Sequence, residues 1–161
     1  MSTSRLLRVG IAGYGVVGQR RRRFIDQHEN LQTWAVSDIK LEDGVSGDGV
    51  RTYSDYRKLL EEDLDMLFVS LPNYLAPEVS IAGLDRGMHV FCEKPPGRTV
   101  EDVARVRQVA TKNPTLKLKY GFNHRYHASF QEALRIIDGG TLGSVINLRG
   151  VYGKSKIINF D

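Results

Sequence analysis

A chain of 161 residues with 41% hydrophobic and 26% charged side chains has the balance of a folded domain, which excludes a disordered or fibrous protein. Its 23 Lys and Arg against 19 Asp and Glu leave a net charge of +4, an excess that favours anionic ligands but is too small to argue for nucleic acid. A single cysteine, Cys92, excludes an intrachain disulfide framework and a cysteine-cluster metal site, and no apolar run reaches the roughly 18 residues of a membrane span, so neither metal nor membrane is expected and a cytoplasmic location is.

Short apolar runs alternate with amphipathic segments. Leu6–Ala12 reads as the first strand, followed by a helix over Val16–His28 and a second strand over Leu31–Ser37. A helix over Ser54–Glu62 then precedes a strand at Leu64–Leu71, one over Pro77–Arg86 a strand at His89–Cys92, and one over Thr99–Lys112 a strand at Leu116–Tyr120. Several strands are nearly continuous apolar runs, as expected where helices cover both faces of a parallel sheet. On the first helix Val17, Phe24 and His28 mark the side expected to be buried. Arg20–Arg23 fan out around its axis and are expected to be solvated or to lie along the surface by their stems. On the last, Thr99 and Asp102 form a capping box, Val100, Val103, Val106 and Ala110 an apolar stripe, and Asn113-Pro114 a stop. Cys92 ends a buried strand and is expected to pack as a small apolar residue.

This alternation predicts an α/β fold, a doubly wound and mostly parallel sheet over residues 1–122. Residues 123–161 hold a linker, a helix over Ala128–Asp138, a turn at Gly139–Gly143 and a strand at Ser144–Tyr152, the first elements of a second, α+β substrate or oligomerisation domain. That strand has no hairpin partner before Asp161. It is expected to be disordered, to pair with another subunit, or to lie against an unrecognised element.

Gly13-Tyr14-Gly15-Val16-Val17-Gly18 fits G-x-G-x-x-G, and it stands between a strand and a helix, the context that gives the pattern meaning. Gly13 permits a tight turn, Gly15 lets the backbone approach a diphosphate, and Gly18 lets helix and strand pack closely. The helix N-terminus offers N–H groups and partial positive charge to the phosphates. Asp38 ends the second strand about 20 residues past Gly18, where a carboxylate accepts from the adenosine ribose hydroxyls and repels a 2′-phosphate. NAD is therefore expected over NADP, with Lys40 offsetting part of that charge. Tyr14, Val16, Val17 and Ile39 complete this part of the expected cofactor site. Ser70, Leu71, Pro72 and Asn73 follow one C-terminal strand end and Glu93, Lys94 and Pro95 another, where open α/β sheets place their ligands.

The chain resembles the Gfo/Idh/MocA oxidoreductases over essentially its whole length. The resemblance is carried by the glycine loop, by Gly87-Met88-His89-Val90 leading into Glu93-Lys94-Pro95, by Gly121-Phe122-Asn123-His124-Arg125-Tyr126, and by Gly139-Gly140-Thr141-Leu142-Gly143. It implies a Rossmann-type domain and hydride transfer between a nicotinamide cofactor and a secondary hydroxyl of a sugar, sugar nucleotide or cyclitol. It implies that Lys94 is catalytic, beside the nicotinamide and the substrate carbinol, and that Glu93 supports cofactor binding. It further implies a cis bond before Pro95 and places Asn123 and Arg125 on the cofactor or substrate cleft. Burial and the nicotinium cation are expected to make Lys94 a usable base, and Glu93 and Lys94 point to opposite sides of an extended segment, so they need not pair. A small sugar-like substrate and a homo-oligomer are the expected partners, nucleic acid and membrane are not. Tyr152-Gly153-Lys154-Ser155 is similar to sugar-nucleotide-modifying members.

Two departures bear on activity. Ala76 stands where members usually carry a His three positions after the Asn, and the chain ends at Asp161 before the Asp and His that members carry in their second domain. The chain therefore reads as the cofactor-binding half of an oxidoreductase, with a non-catalytic dinucleotide-binding or regulatory module as the alternative.

Overall fold

The computed structural model describes residues 5–151 and 153. Strand β1 (Leu7–Ala12) lies at the centre of a seven-stranded sheet, and its side chains alternate between two cores, as a period of two requires. Val9 and Ile11 pack with Ile25, Val36 and Val50, while Ala12 joins Leu59, Leu67, Val69, Val79 and Val90.

From β1 the chain builds the sheet outward in two halves. Helix α1 (Val16–Asp26) leads to β2 (Leu31–Ser37), β3 (Gly44–Val45) and β4 (Arg51–Tyr53); α2 (Tyr56–Leu59) then returns the chain to β5 (Met66–Val69). Helix α3 (Ala76–Asp85), β6 (His89–Cys92), α4 (Val100–Lys112) and β7 (Leu118–Tyr120) extend the second half. The strand order is β3-β4-β2-β1-β5-β6-β7, with every pairing parallel except β3 with β4. The order reverses between β1 and β5, which opens a crevice at their C-terminal ends.

The structure corrects several expectations in detail. β3 and β4 are two and three residues long, too short to show a period, and were not anticipated. The helix expected over Ser54–Glu62 is regular only over Tyr56–Leu59, begun by Asp55, whose carboxylate accepts from the Arg57 N–H at 2.9 Å. On α4 Thr99 accepts from the Asp102 N–H at 3.2 Å, but Asp102 accepts from the Arg98 N–H at 3.0 Å rather than from that of Thr99. Val100 is exposed, and Val106, Val109 and Ala110 carry the buried stripe.

The larger correction concerns α1. Its buried residues are Gly18 and Ile25, with Arg21 and Arg22 half-buried beside them, while Val17, Phe24 and His28 face solvent. Gly18 sets this orientation because its Cα lies against the backbone of Gly13. With about 100° per residue, positions 21, 22 and 25 must then follow on the same side. Cys92 is fully buried, and burial pushes its thiol up to about 11, as suits a packed apolar residue.

Contacts divide the chain into two units, residues 1–122 and 123–161. The second contains a 3-10 turn over Asn123–Tyr126 and helix α5 (Ala128–Asp138), on which Phe130 and Leu134 are exposed. The strand expected at Ser144–Tyr152 is not formed over residues 144–151: no described segment supplies a ladder partner, and Ile146 and Val151 are 97% and 90% exposed. Tyr152, Lys154 and Ser155 lie outside the described residues. Among the described residues no helix is long and apolar enough to cross a membrane, and no group of three His, Cys, Asp or Glu is placed to hold a metal.

Candidate functional site

The turn from β1 into α1 is built from three glycines with different constraints. Gly13 has φ +90°, donates its N–H to the Ser37 carbonyl at 2.9 Å, and would place a Cβ 2.4 Å from the Ser70 carbonyl oxygen. A Cβ on Gly18 would lie 2.1 Å from the Gly13 carbonyl oxygen. Both positions are closed to any side chain by backbone. Gly15 is different: a Cβ there would meet nothing within 4 Å. Gly15 is also the N-cap of α1, without a side-chain cap, and the first turn carries no acidic residue. The first N–H groups of α1 therefore face open space at the positive end of its dipole, a cradle suited to an anion.

Asp38 sits one strand away, just past β2. Its Oδ2 accepts from the Tyr14 N–H at 3.0 Å and its Oδ1 from the Lys40 N–H at 3.1 Å, while its own N–H donates to the Tyr53 carbonyl at 3.0 Å. Each carboxylate oxygen thus carries one amide and keeps capacity for a further donor. Ile39 beside it is 89% exposed. Tyr14 is held from the other side: its hydroxyl accepts from Arg22 at 2.9 Å, and Arg22 also pairs with Asp26 at 3.1 Å and with Asp48. The arginine run gave no sign of this role.

Across the crevice, Ser70 donates its N–H to the Ala12 carbonyl at 2.7 Å, and its hydroxyl is buried without a hydrogen-bond partner among the described residues. Leu71 and Asn73 are half-buried and Pro72 is exposed, its carbonyl accepting the Leu75 and Ala76 N–H groups at 2.9 and 3.1 Å. Ala76, the position of the implied His, is buried at the start of α3.

Glu93, directly after β6, donates its N–H to the Val69 carbonyl at 2.8 Å. Its Oε1 accepts from Arg21 Nε at 2.6 Å and also from an Arg21 terminal nitrogen. The Arg21 guanidinium lies 4.8 Å from the Phe91 ring, which stacks on Phe68 at 4.9 Å. Sequence reasoning named Glu93 but missed this partner. The Lys94–Pro95 bond is cis, as expected. The burial expected for Lys94 is absent: the segment leaves the sheet here, and the side chain is exposed with no ion pair among the described residues. Gly13–Gly18, Asp38, Ser70–Asn73, Glu93 and Lys94 thus gather at the C-terminal ends of β1, β2, β5 and β6. Asn123 and Arg125 belong to the second unit, exposed on its 3-10 turn.

Residues 7–122 match the model of an oxidoreductase family with an NAD-binding Rossmann fold. The chain belongs to the Gfo/Idh/MocA family. Inositol 2-dehydrogenase of Salmonella typhimurium (strain LT2) is 28% identical over 159 residues, covering 94% of this chain and 47% of that protein. The chain thus spans about half the length of the curated relatives it matches. The crystal structure of myo-inositol 2-dehydrogenase from Lactobacillus plantarum is similar with a TM-score of 0.75 at 28% identity, over 88% of this chain and 44% of that one. Scyllo-inositol dehydrogenase from Lactobacillus casei, solved with NAD(H) and scyllo-inositol, shares the fold at 24% identity and a TM-score of 0.75, over 86% of this chain and 43% of that one.

Proposed function

We propose that the chain is the cofactor-binding half of a nicotinamide-dependent oxidoreductase acting on a secondary hydroxyl of a sugar, sugar nucleotide or cyclitol. The observation that carries this reading is the open space over Gly15. Contacts within the protein account for Gly13 and Gly18, but nothing among the described residues requires a glycine between them. A diphosphate approaching the backbone does.

In this reading the first amides of α1, with Tyr14, Val16 and Val17 around them, hold the diphosphate. Asp38 accepts from the adenosine ribose, Ile39 lies beside it, and Ser70–Asn73 and Glu93 flank the nicotinamide half. The nicotinamide ring, when bound, supplies the hydride acceptor or donor. Lys94 polarises or deprotonates the substrate hydroxyl as the carbinol is oxidised, so that no positive charge is left on the product carbonyl. A polyol or sugar substrate is supported by relatives named inositol 2-dehydrogenase and levoglucosan dehydrogenase.

Asp38 makes NAD the preferred cofactor, because both its oxygens are held in place by amides and a 2′-phosphate would meet a fixed negative charge. Calorimetric titration tests this. The chain is expected to bind NAD more tightly than NADP, and Asp38→Ser to weaken NAD by about tenfold while narrowing or reversing the preference. An unchanged NAD-to-NADP ratio in the variant would remove Asp38 from the site, and binding of neither dinucleotide would remove the cofactor reading.

A further inference from the structure

Arg21 lies three residues past Gly18 on the helix whose first turn forms the anion cradle, and its guanidinium reaches the far side of the crevice. The partner there is Glu93, whose side chain is only 14% exposed, and Arg21 itself is 28% exposed. The contact is one-sided: two Arg21 nitrogens converge on Oε1. Oε2 is turned toward Gly121, where a Cβ would stand 2.7 Å from it. The Phe91 and Phe68 rings back the guanidinium, so it has little freedom to follow Glu93 if the carboxylate moves.

The topology says which half of a dinucleotide this pair faces. Asp38 follows β2 and Glu93 follows β6, on opposite sides of the β1/β5 crevice. With the adenosine half at Asp38, the second mononucleotide lies over β5 and β6, toward Glu93. We propose that Arg21 is a positioning residue for that nicotinamide-side half: it fixes the Glu93 carboxylate through Oε1 so that Oε2 stays turned to accept a ribose hydroxyl. One helix would then anchor the diphosphate by its amides and orient the acceptor for the adjoining sugar by a side chain. The proposal rests on the cofactor reading above.

The test compares NADH, which spans the whole site, with ADP, which reaches only the glycine loop and Asp38. Affinities for both are measured calorimetrically on the full chain and on Arg21→Gln, Arg21→Lys and Gly121→Ala, with thermal melts alongside. Arg21→Gln is expected to bind NADH about tenfold more weakly and ADP within about twofold of the parent, and Arg21→Lys to recover part of the loss. Gly121→Ala leaves Arg21 intact but pushes Oε2 aside, so it should show the same selective loss for NADH even if Arg21→Gln folds poorly. Equal losses for both ligands would mark Arg21 as a support of α1 alone, and undiminished NADH binding by folded variants would give Glu93 no oriented role. Either result overturns the proposal and leaves the cofactor reading standing. A parent chain that binds neither ligand overturns both.

Discussion

Alanine at Gly18 is expected to destabilise the chain by about 3–5 kcal/mol, whereas alanine at Gly15 leaves the melting temperature unchanged and weakens NAD binding by tenfold or more, on the order of one lost charge-assisted hydrogen bond. The contrast follows from what each new methyl group meets. At Gly18 it lies 2.1 Å from the carbonyl oxygen of Gly13, a backbone atom with nowhere to go. Helix α1 would have to withdraw from β1, carrying the buried Ile25 out of its cluster and Arg21 away from Glu93. At Gly15 the methyl group enters empty space, and the backbone, at φ −72° and ψ −163°, is one that alanine adopts freely. Urea unfolding of the two variants, paired with dinucleotide titration, separates the effects. Full NAD affinity in a folded Gly15→Ala chain would mean that no ligand uses that space.

Removing Glu62 is expected to cost about 2–4 kcal/mol, because three partners lose their acceptor at once. Its Oε2 accepts from Trp34 Nε1 at 3.1 Å and pairs with Arg51 at 3.3 Å, and its Oε1 accepts from the Tyr53 hydroxyl. Arg51 also lies 4.6 Å from the Trp34 ring, so β2 and β4 are tied through one carboxylate that is only 16% exposed. Glu62→Ala leaves these groups half-buried and unpaired. Trp34, the chain's single tryptophan, reports the change directly by fluorescence. The same contact sets an alkaline limit. The hydrogen bond to Glu62, aided by burial, pushes the Tyr53 phenol from 10 up to about 12. Between those values the unfolded chain releases the proton and the folded chain keeps it, so stability falls as pH rises from 10 to 12. Tyr53→Phe should make this fall shallower, with Tyr120 and Cys92, raised by burial to about 12 and about 11, among the groups that still contribute.

How far the fold could be read depended on whether a residue's neighbours were local. The parallel strands were legible because runs such as Val9–Ala12 and Leu67–Val69 are apolar on both faces, and the glycine loop because its spacing is tied to one strand–turn–helix unit. Gly44–Val45 and Arg51–Tyr53 were not, since strands of two and three residues are defined by their partners rather than by any pattern of their own. The facing of α1 was misread for an instructive reason. Hydrophobicity pointed to Val17 and Phe24, but the close approach of Gly18 to Gly13 fixes the rotation, and two arginines of the run, Arg21 and Arg22, become half-buried partners of Glu93, Tyr14 and Asp48, while Arg20 and Arg23 stay exposed. Within the candidate site, the positions of Asp38 and Glu93 at their strand ends were legible. The Tyr14 amide that holds one oxygen of the first and the Arg21 guanidinium that holds the second come from α1 and its loop, distant in sequence. The exposure of Lys94 could not be read either, because cover over a loop depends on what surrounds it and not on its own residues.

The measurement that bears most directly on the function is a ¹⁵N-edited NMR titration of the chain with NAD. Diphosphate binding at the glycine bend predicts that the largest shifts fall on the amides of Gly15, Val16 and Val17, with smaller ones at Tyr14 and Lys40, whose N–H groups are held by Asp38. Saturating NAD that leaves these amides unmoved, or that shifts residues elsewhere on the sheet, would contradict it.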